Sequence, residues 1–218
     1  LVSANNISAE VAYAPTIDEI CLYGLDESGM IDKYAQDLKE VEQREGKAYL
    51  GLIVSTLLCW ISGYHYHGLL HFGPAPNPAW WCYLAEHLIV WLIPALLFYL
   101  GGLFLSHSRI RVIDVLGTVL FAQLPLFGMN LISLLPAMRM MSQMNMNMSP
   151  EEMLAQPYFI LAMILTLLGL PFLILTLIWM FNALKVSCNL KQWKLWTVAL
   201  IGIIGGDVLC RFLIGWLY

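Results

Sequence analysis

The chain has 218 residues, of which 60% are hydrophobic and only 12% charged, and its mean hydropathy is +0.72. Soluble domains carry about 25% charged residues, so part of this apolar surface must be covered by lipid rather than water. The net charge of −4 arises before Ala48, where most acidic residues lie, and it gives no reason to expect a nucleic-acid partner. The five cysteines show no paired spacing, which argues against a disulfide framework.

The N-terminal residues 1–47 are predicted to form an acidic cytosolic head. A helix is expected at about 27–47, because Ile31, Tyr34, Leu38 and Val41 recur at three- and four-residue intervals on an otherwise charged surface. This stripe predicts a helix that lies on the membrane or contacts a cytosolic partner.

The rest of the chain, 48–218, is predicted to be an all-α integral membrane bundle. A transmembrane helix needs about 20 apolar residues, and five segments qualify. They lie at about 48–66, 84–105, 112–136, 158–184 and 195–217. Pro171 predicts a kink in the fourth segment, and Pro94 and Pro125 predict breaks in the second and third.

The basic residues of the short loops predict the orientation, because cytoplasmic loops are enriched in Lys and Arg. The second loop carries Arg109 and Arg111, and the fourth carries Lys185, Lys191 and Lys194, whereas the first loop, 67–83, has no Lys or Arg. Five alternating spans then place the N-terminus inside and the C-terminus outside (N-in/C-out). Aromatic residues at the segment ends fit interfacial anchors: Tyr64, Tyr66, Trp80, Trp81, Tyr83, Trp216 and Tyr218 outside, Trp193 and Trp196 inside.

The segment 172–201 has the pattern of an apolar helix, a short basic turn and a second apolar helix, with Lys185, Val186, Leu190 and Lys194 in the turn. The segment 111–136 has the pattern of an apolar helix with helix breakers at Gly117, Pro125 and Pro136. In these two segments, and in its size and five spans, the chain resembles the Yip family, membrane proteins named for binding Ypt/Rab GTPases and found, without such partners, in bacteria. The likeness covers about 85–218 and implies a bacterial-type member.

Two features depart from that family. The aromatic-glycine-proline motif of eukaryotic members is absent before the first span, and CLYGL at 21–25 is only a distant echo of it. The acidic head is also longer than small bacterial members lead us to expect. Rab binding is therefore not transferred to this chain.

Histidines cluster at the predicted outer face. The run HYHGLLH contains His65, His67 and His71, and Glu86 and His87 begin the second span. Imidazoles beside a carboxylate suit zinc or copper, which predicts a metal or proton site. Interfacial anchoring and hydrogen-bond capping by the same histidines is the other interpretation, since no spacing matches a known metal motif.

Methionines are concentrated at 138–153, MRMMSQMNMNMSPEEM. Thioethers are soft ligands for Cu(I), which makes copper handling a rival hypothesis. The alternative is an amphipathic segment resting on lipid headgroups. Ser149 and Pro150 are predicted to begin a helix there.

Asp207 and Arg211 lie one helical turn apart in the fifth span and predict a buried charge pair, since a lone charge in a membrane is costly. Such a pair fixes helix register or forms a functional site, and Glu86 and the histidines are expected nearby. Gly202, Gly205 and Gly206 predict close helix packing before it. The Gly-Gly-Asp run differs from the intramembrane aspartyl protease motif Gly-x-Gly-Asp at Ile204, and no other catalytic motif is present.

These observations predict a non-enzymatic membrane protein without a cofactor. The resemblance implies an accessory or scaffold subunit for other membrane proteins, such as an export-type ABC transporter, or a role in membrane organisation and trafficking. Its location would be the bacterial inner membrane. The alternative is a small copper or zinc transporter that uses the His and Met residues.

Overall fold

The computed structural model describes residues 46–74, 78–106, 108, 110–143 and 148–218. Its compact unit extends from Ala48 to Tyr218. The predicted helix at 27–47 lies almost entirely outside the described residues, and so do Arg109, Met144 and Met146.

The described chain is mostly helical, with one small sheet. The helices are α1 (Gly46–Ser62), α2 (Trp80–Leu105), α3 (Val112–Ala122), α4 (Leu126–Ser133), α5 (Pro136–Ser142), α6 (Pro150–Leu154), α7 (Phe159–Ser187) and α8 (Gln192–Ile214). Between α1 and α2 the strands β1 (Tyr64–Tyr66) and β2 (Phe72–Pro74) pair antiparallel as a hairpin, with His65 opposite Gly73. The all-α prediction missed this hairpin, because the predicted first span continued through residues that form β1.

Three of the predicted spans are single helices long and apolar enough to cross a membrane: α2, α7 and α8. The third predicted span is broken into α3 and α4, bent by 40° around Pro125, and counts as a fourth crossing if the pair is one span. The first predicted span overlaps α1, an apolar helix whose bounds give about 17 residues, shorter than a full crossing usually requires. The described residues thus contain three spans, or up to four, by length and composition.

The prolines act differently in each helix. Pro125 lies at the predicted break, but α2 continues through Pro94 and α7 continues through Pro171. A helical proline lacks the N–H that would bond the carbonyl four residues earlier, which for Pro94 is the carbonyl of Val90. The side-chain amide of Gln123 donates to that oxygen at 2.9 Å. A residue at the α3–α4 break therefore replaces the hydrogen bond that Pro94 removes.

Close contacts at small residues hold the helices together. α7 packs on α3, α4 and α5, and α2 packs on α3 and α8. An added Cβ at Gly202 of α8 would lie 2.3 Å from Phe98 of α2, and one at Gly128 of α4 would lie 2.4 Å from Phe172 of α7. Glycine therefore permits helix approaches that alanine would obstruct.

The two ends of the bundle are held by different contacts. Lys194, at the start of α8, donates from Nζ to the carbonyl of Leu105 at 3.0 Å and so caps the end of α2. The predicted start of α6 is confirmed, because Ser149 and Glu152 form a reciprocal capping box. Trp193 and Trp196 are exposed at the same end as Lys194. Trp80, Trp81 and Trp216 are exposed at the opposite end of α2 and α8. This distribution suits aromatic belts at two membrane interfaces.

Candidate functional site

The hairpin is packed into the end of the bundle rather than exposed as a loop. Tyr64, His65 and Tyr66 are all buried. Gly63 leaves α1 with a φ of +72°, a left-handed conformation that glycine adopts without strain. The chain therefore turns back immediately after α1, and β1 brings its histidine into the core.

Glu86, in the second turn of α2, is the centre of a buried polar cluster. It is fully buried, and its Oε1 accepts hydrogen bonds from the Nδ1–H of His65 at 2.8 Å and from the hydroxyl of Tyr218. Burial, with the hydrogen bond to Glu86, raises the pKa of Tyr218 well above its usual value, so this hydroxyl remains a donor at neutral pH. Glu86 Oε2 and His65 Nε2 are buried without a partner in the described structure. The cluster joins the hairpin, α2 and the residues after α8.

A second polar group lies beside this cluster, around Asn130 of α4. The Oδ1 atom of Asn130 accepts a hydrogen bond from Tyr66 Oη at 2.8 Å and another from the thiol of Cys59 at 3.5 Å. His87 donates from Nδ1 to the carbonyl of Tyr83 at 2.7 Å, and its Nε2 lies 3.9 Å from the Cys59 sulfur. These contacts tie α1, β1, α2 and α4 together with neutral groups.

Asp207 follows a π-helical turn, Ile201–Gly205, in α8 and is almost completely buried. Its Oδ1 accepts a hydrogen bond from the backbone N–H of Leu70 at 2.8 Å, and His71 Nδ1 lies 3.1 Å from Oδ2. Arg211 is exposed and forms no ion pair with Asp207. The expected Asp207–Arg211 pair is thus replaced by a contact with the hairpin turn, because that turn places a backbone donor and an imidazole directly on the carboxylate.

The candidate metal residues separate into different contacts. His65 pairs with Glu86, His71 pairs with Asp207, and His87 bonds to a backbone carbonyl. The ring of His67 lies 3.9 Å from that of His65, and burial, followed by the electrostatic effect of the nearby His65, lowers the pKa of His67. In the part of the chain that the structure describes, no group of three or more His, Cys, Asp or Glu residues is placed to hold a metal ion.

His67 and His71 are four residues apart, a spacing that would place them on the same face of a helix. In the structure the two residues flank the hairpin turn instead, and His67 N–H donates to the carbonyl of His71 at 2.9 Å. The two rings therefore face different partners.

The described methionines of the 138–153 run do not share one environment. Met138 is buried with Tyr64 and Ala162, and its carbonyl accepts a hydrogen bond from Tyr64 Oη at 3.1 Å. Met140 is exposed. The run is therefore partly core and partly surface in the described residues, which supports neither a continuous thioether site nor a uniform lipid-contacting face.

Sequence reasoning missed the functions of Asn130 and Gln123 and assigned Tyr218 only to the interface. The signal available for Asn130 and Gln123 was their position inside the third apolar segment, where an amide requires a partner. Hydropathy reveals such a requirement but not the partner.

Comparison with known proteins gave one match. Residues 36–210 match the family model described as the Yip1 domain. The searches of curated proteins and of solved structures returned no match. The matched range includes every described helix from α1 to α7 and most of α8.

Proposed function

The chain belongs to the Yip1 domain family, and from that premise we propose that it is a non-enzymatic accessory or scaffold subunit for other membrane proteins. Family and fold together make the chain a multi-pass membrane protein with several apolar helices. An export-type ABC transporter is one kind of partner that the family resemblance implies, and membrane organisation is the related role.

The observation that carries this proposal is the surface of α7. The buried residues of this 29-residue helix form one narrow stripe: Ala162, Gly169, Thr176, Met180, Ala183 and Leu184. The opposite side is apolar and exposed along the length of the helix, including Leu167 and Ile178. A helix packed on one side only leaves a long face for lipid or for a helix of another protein.

The polar groups support an architectural rather than a catalytic interpretation. Glu86, Asn130 and Asp207 each use their oxygens to connect separate parts of the fold. Buried polar groups that are bonded in this way give specificity to a helix bundle. We therefore propose that the outer surface of the bundle and the acidic N-terminal segment contact the partner proteins.

Photocrosslinking from the exposed face of α7 tests the proposal. A photoreactive side chain is placed at Ile178, and the matched control is the same group at Met180, two residues away and fully buried. Irradiation of native membranes is expected to give one discrete adduct of stoichiometric abundance from position 178 and only intramolecular products from position 180. Only lipid adducts from position 178 and from other exposed helix positions, together with no stoichiometric partner after mild purification, would contradict a scaffold role.

We further propose the bacterial inner membrane and an N-in/C-out orientation. Their support is the basic character of the second and fourth loops, of which the structure describes Arg111, Lys185, Lys191 and Lys194. Five crossings require that the short helix α1 also spans the membrane.

Metal handling is the second candidate, and one observation favours it. His65 donates its Nδ1–H to Glu86 and leaves Nε2 without a partner, which is the arrangement of a metal-ligating histidine oriented by a carboxylate. Elemental analysis of the purified protein tests this idea. Stoichiometric zinc or copper that is lost in His65→Ala but retained in the His87→Ala control would support it, and metal-free protein with unchanged phenotype in His65, His67 and His71 variants would rule it out.

A further inference from the structure

A groove lies where the hairpin turn, β2 and the C-terminal end of α8 meet. Its volume is about 480 Å³, which is in the size range of small-ligand sites. His67, His71, Arg211 and Tyr218 supply polar lining. Leu70, Phe72 and Ile214 supply an apolar lining beside it. A groove of this composition suits an amphiphile, with a polar group and an apolar part bound side by side.

The charges around the groove favour an anion. The carboxylate of Asp207 already accepts a hydrogen bond from the N–H of Leu70 and contacts His71, so its oxygens are engaged within the fold. Glu86 accepts hydrogen bonds from Tyr218 and His65 behind the groove. The guanidinium of Arg211 is exposed and forms no ion pair with a carboxylate among the described residues. Arginine offers several donors in a planar fork that matches phosphate oxygens.

The C-terminal end of α8 disfavours a bound anion only weakly. The C-terminus of a helix carries partial negative charge from unpaired carbonyls. Here the carbonyls of Arg211, Leu213 and Ile214 accept hydrogen bonds from the N–H groups of residues 215–217. A direct charged contact with an arginine outweighs the remaining dipole, which affects binding by about 0.3–1 kcal/mol at exposed sites.

The position of the groove points to lipid. It adjoins the end of the bundle where Trp80, Trp81 and Trp216 are exposed, as expected of residues at the headgroup level. A headgroup at this level would meet Arg211, and the acyl chain attached to it would extend along the apolar lining. Inorganic phosphate would leave that lining uncovered.

We propose that this groove binds the phosphate headgroup of an anionic phospholipid, with Arg211 as its cation and with the half-buried Leu70 and Phe72 against the adjoining acyl chain. His67 contributes a neutral hydrogen bond, because burial lowers its pKa, whereas the hydroxyl of Tyr218 remains donated to Glu86. This site is separate from the α7 surface to which the scaffold role is assigned.

The test compares Arg211→Gln with Arg139→Gln, which removes the same charge from an exposed arginine of α5 outside the groove. Phosphatidylglycerol is titrated into the detergent-purified full chain and counted by native mass spectrometry. The affinity of the first bound lipid is expected to fall about tenfold or more in Arg211→Gln, the effect of losing a charged hydrogen bond, and to stay unchanged in Arg139→Gln. Equal effects of the two variants would overturn the proposal.

Two further measurements decide the identity of the ligand on the wild-type chain, so they remain valid if Arg211→Gln does not fold. Phosphatidylcholine should bind more weakly than phosphatidylglycerol, and millimolar inorganic phosphate should not displace the lipid. Equal binding of both lipids, or displacement by phosphate alone, would overturn the lipid assignment. A third measurement locates the lipid: a phosphatidylglycerol analogue with a diazirine on its acyl chain should label residues 70–72, whereas labelling spread evenly over α7 would contradict a specific groove.

Discussion

Glu86 illustrates how a single carboxylate is accommodated within an apolar bundle. An ionised group at the centre of a membrane costs about 2.5–3.5 kcal/mol on insertion scales. Glu86 is fully buried, but it receives two side-chain donors, one from β1 and one from the end of the described chain. The carboxylate therefore makes the packing of the hairpin and the residues after α8 depend on each other.

Tyr218→Phe removes one of these donors while keeping the ring. We expect the unfolding free energy to fall by about 1–2 kcal/mol, because Glu86 Oε1 loses a hydrogen bond that water cannot replace. Thermal unfolding in detergent, followed by tryptophan fluorescence, measures the change. The control is Tyr49→Phe, since Tyr49 is exposed and its hydroxyl has no bond in the described structure. Equal stability of the two variants would show that Tyr218 does not support the cluster.

Gln123 makes a second prediction at the scale of one residue. Gln123→Leu should lower the midpoint of thermal unfolding, because the carbonyl of Val90, already deprived of its helical partner by Pro94, loses its remaining donor. The expected decrease in unfolding free energy is about 1 kcal/mol, typical of side-chain hydrogen bonds in membrane helices. Gln156→Leu serves as the control, because the Gln156 side chain has no bond in the described structure. The double variant Pro94→Ala/Gln123→Leu should recover the lost stability, because alanine at position 94 restores a helical N–H donor to the carbonyl of Val90. If it does not, Gln123 does not act by replacing the hydrogen bond that Pro94 removes.

At the scale of elements, the glycines of α8 are predicted to allow close packing with another helix, and the structure shows that this helix is α2. Gly202 lies against Phe98, whereas an added Cβ at Gly205 would meet only Ile201 of its own helix at 3.9 Å. Of the three glycines predicted to mediate packing, Gly202 thus makes the close interhelical contact, Gly206 lies near Pro94, and Gly205 does not contact another helix.

Gly202→Ala and Gly205→Ala should therefore differ in sign. The first forces a methyl group into the ring of Phe98, and overpacking of this kind costs about 1–3 kcal/mol. The second gains helix propensity without a clash and should be neutral or slightly stabilising. Chemical unfolding in mixed micelles compares the two variants. A stable Gly202→Ala protein would mean that α2 and α8 can separate at little cost.

The hairpin is the element that sequence reasoning did not identify. Residues 64–66 follow α1 directly, and a hydropathy window of about 19 residues averages these less apolar residues with the helix, so the predicted span extends through them. The short strands contain tyrosines and a phenylalanine and are bounded by Gly63 and Pro74, which favours strand over helix. A three-residue strand is too short for its alternation to be recognised, and its burial is decided by helices distant in the chain.

For the whole molecule, the decisive measurement is topology. In a cysteine-free background, Ser108→Cys lies in the α2–α3 loop and Gln143→Cys follows α5. Five crossings with N-in/C-out predict that a membrane-impermeant maleimide labels Gln143→Cys in intact cells and labels Ser108→Cys only after lysis. Labelling of both positions, or of Ser108→Cys alone, would contradict this orientation and require a different number of crossings.

The sequence by itself determined the class of the protein, the positions of α2, α7 and α8, the break at Pro125 and the family, now confirmed over residues 36–210. These properties depend on local hydropathy and on residues that restrict the backbone, so neighbouring residues are enough to reveal them. Only the tertiary structure decided the partners of the buried polar groups. Asp207 bonds to Leu70, 137 positions away, rather than to Arg211 one turn along its own helix. A buried charge takes the donor that packing brings to it, and spacing along one helix cannot reveal a donor on another part of the fold.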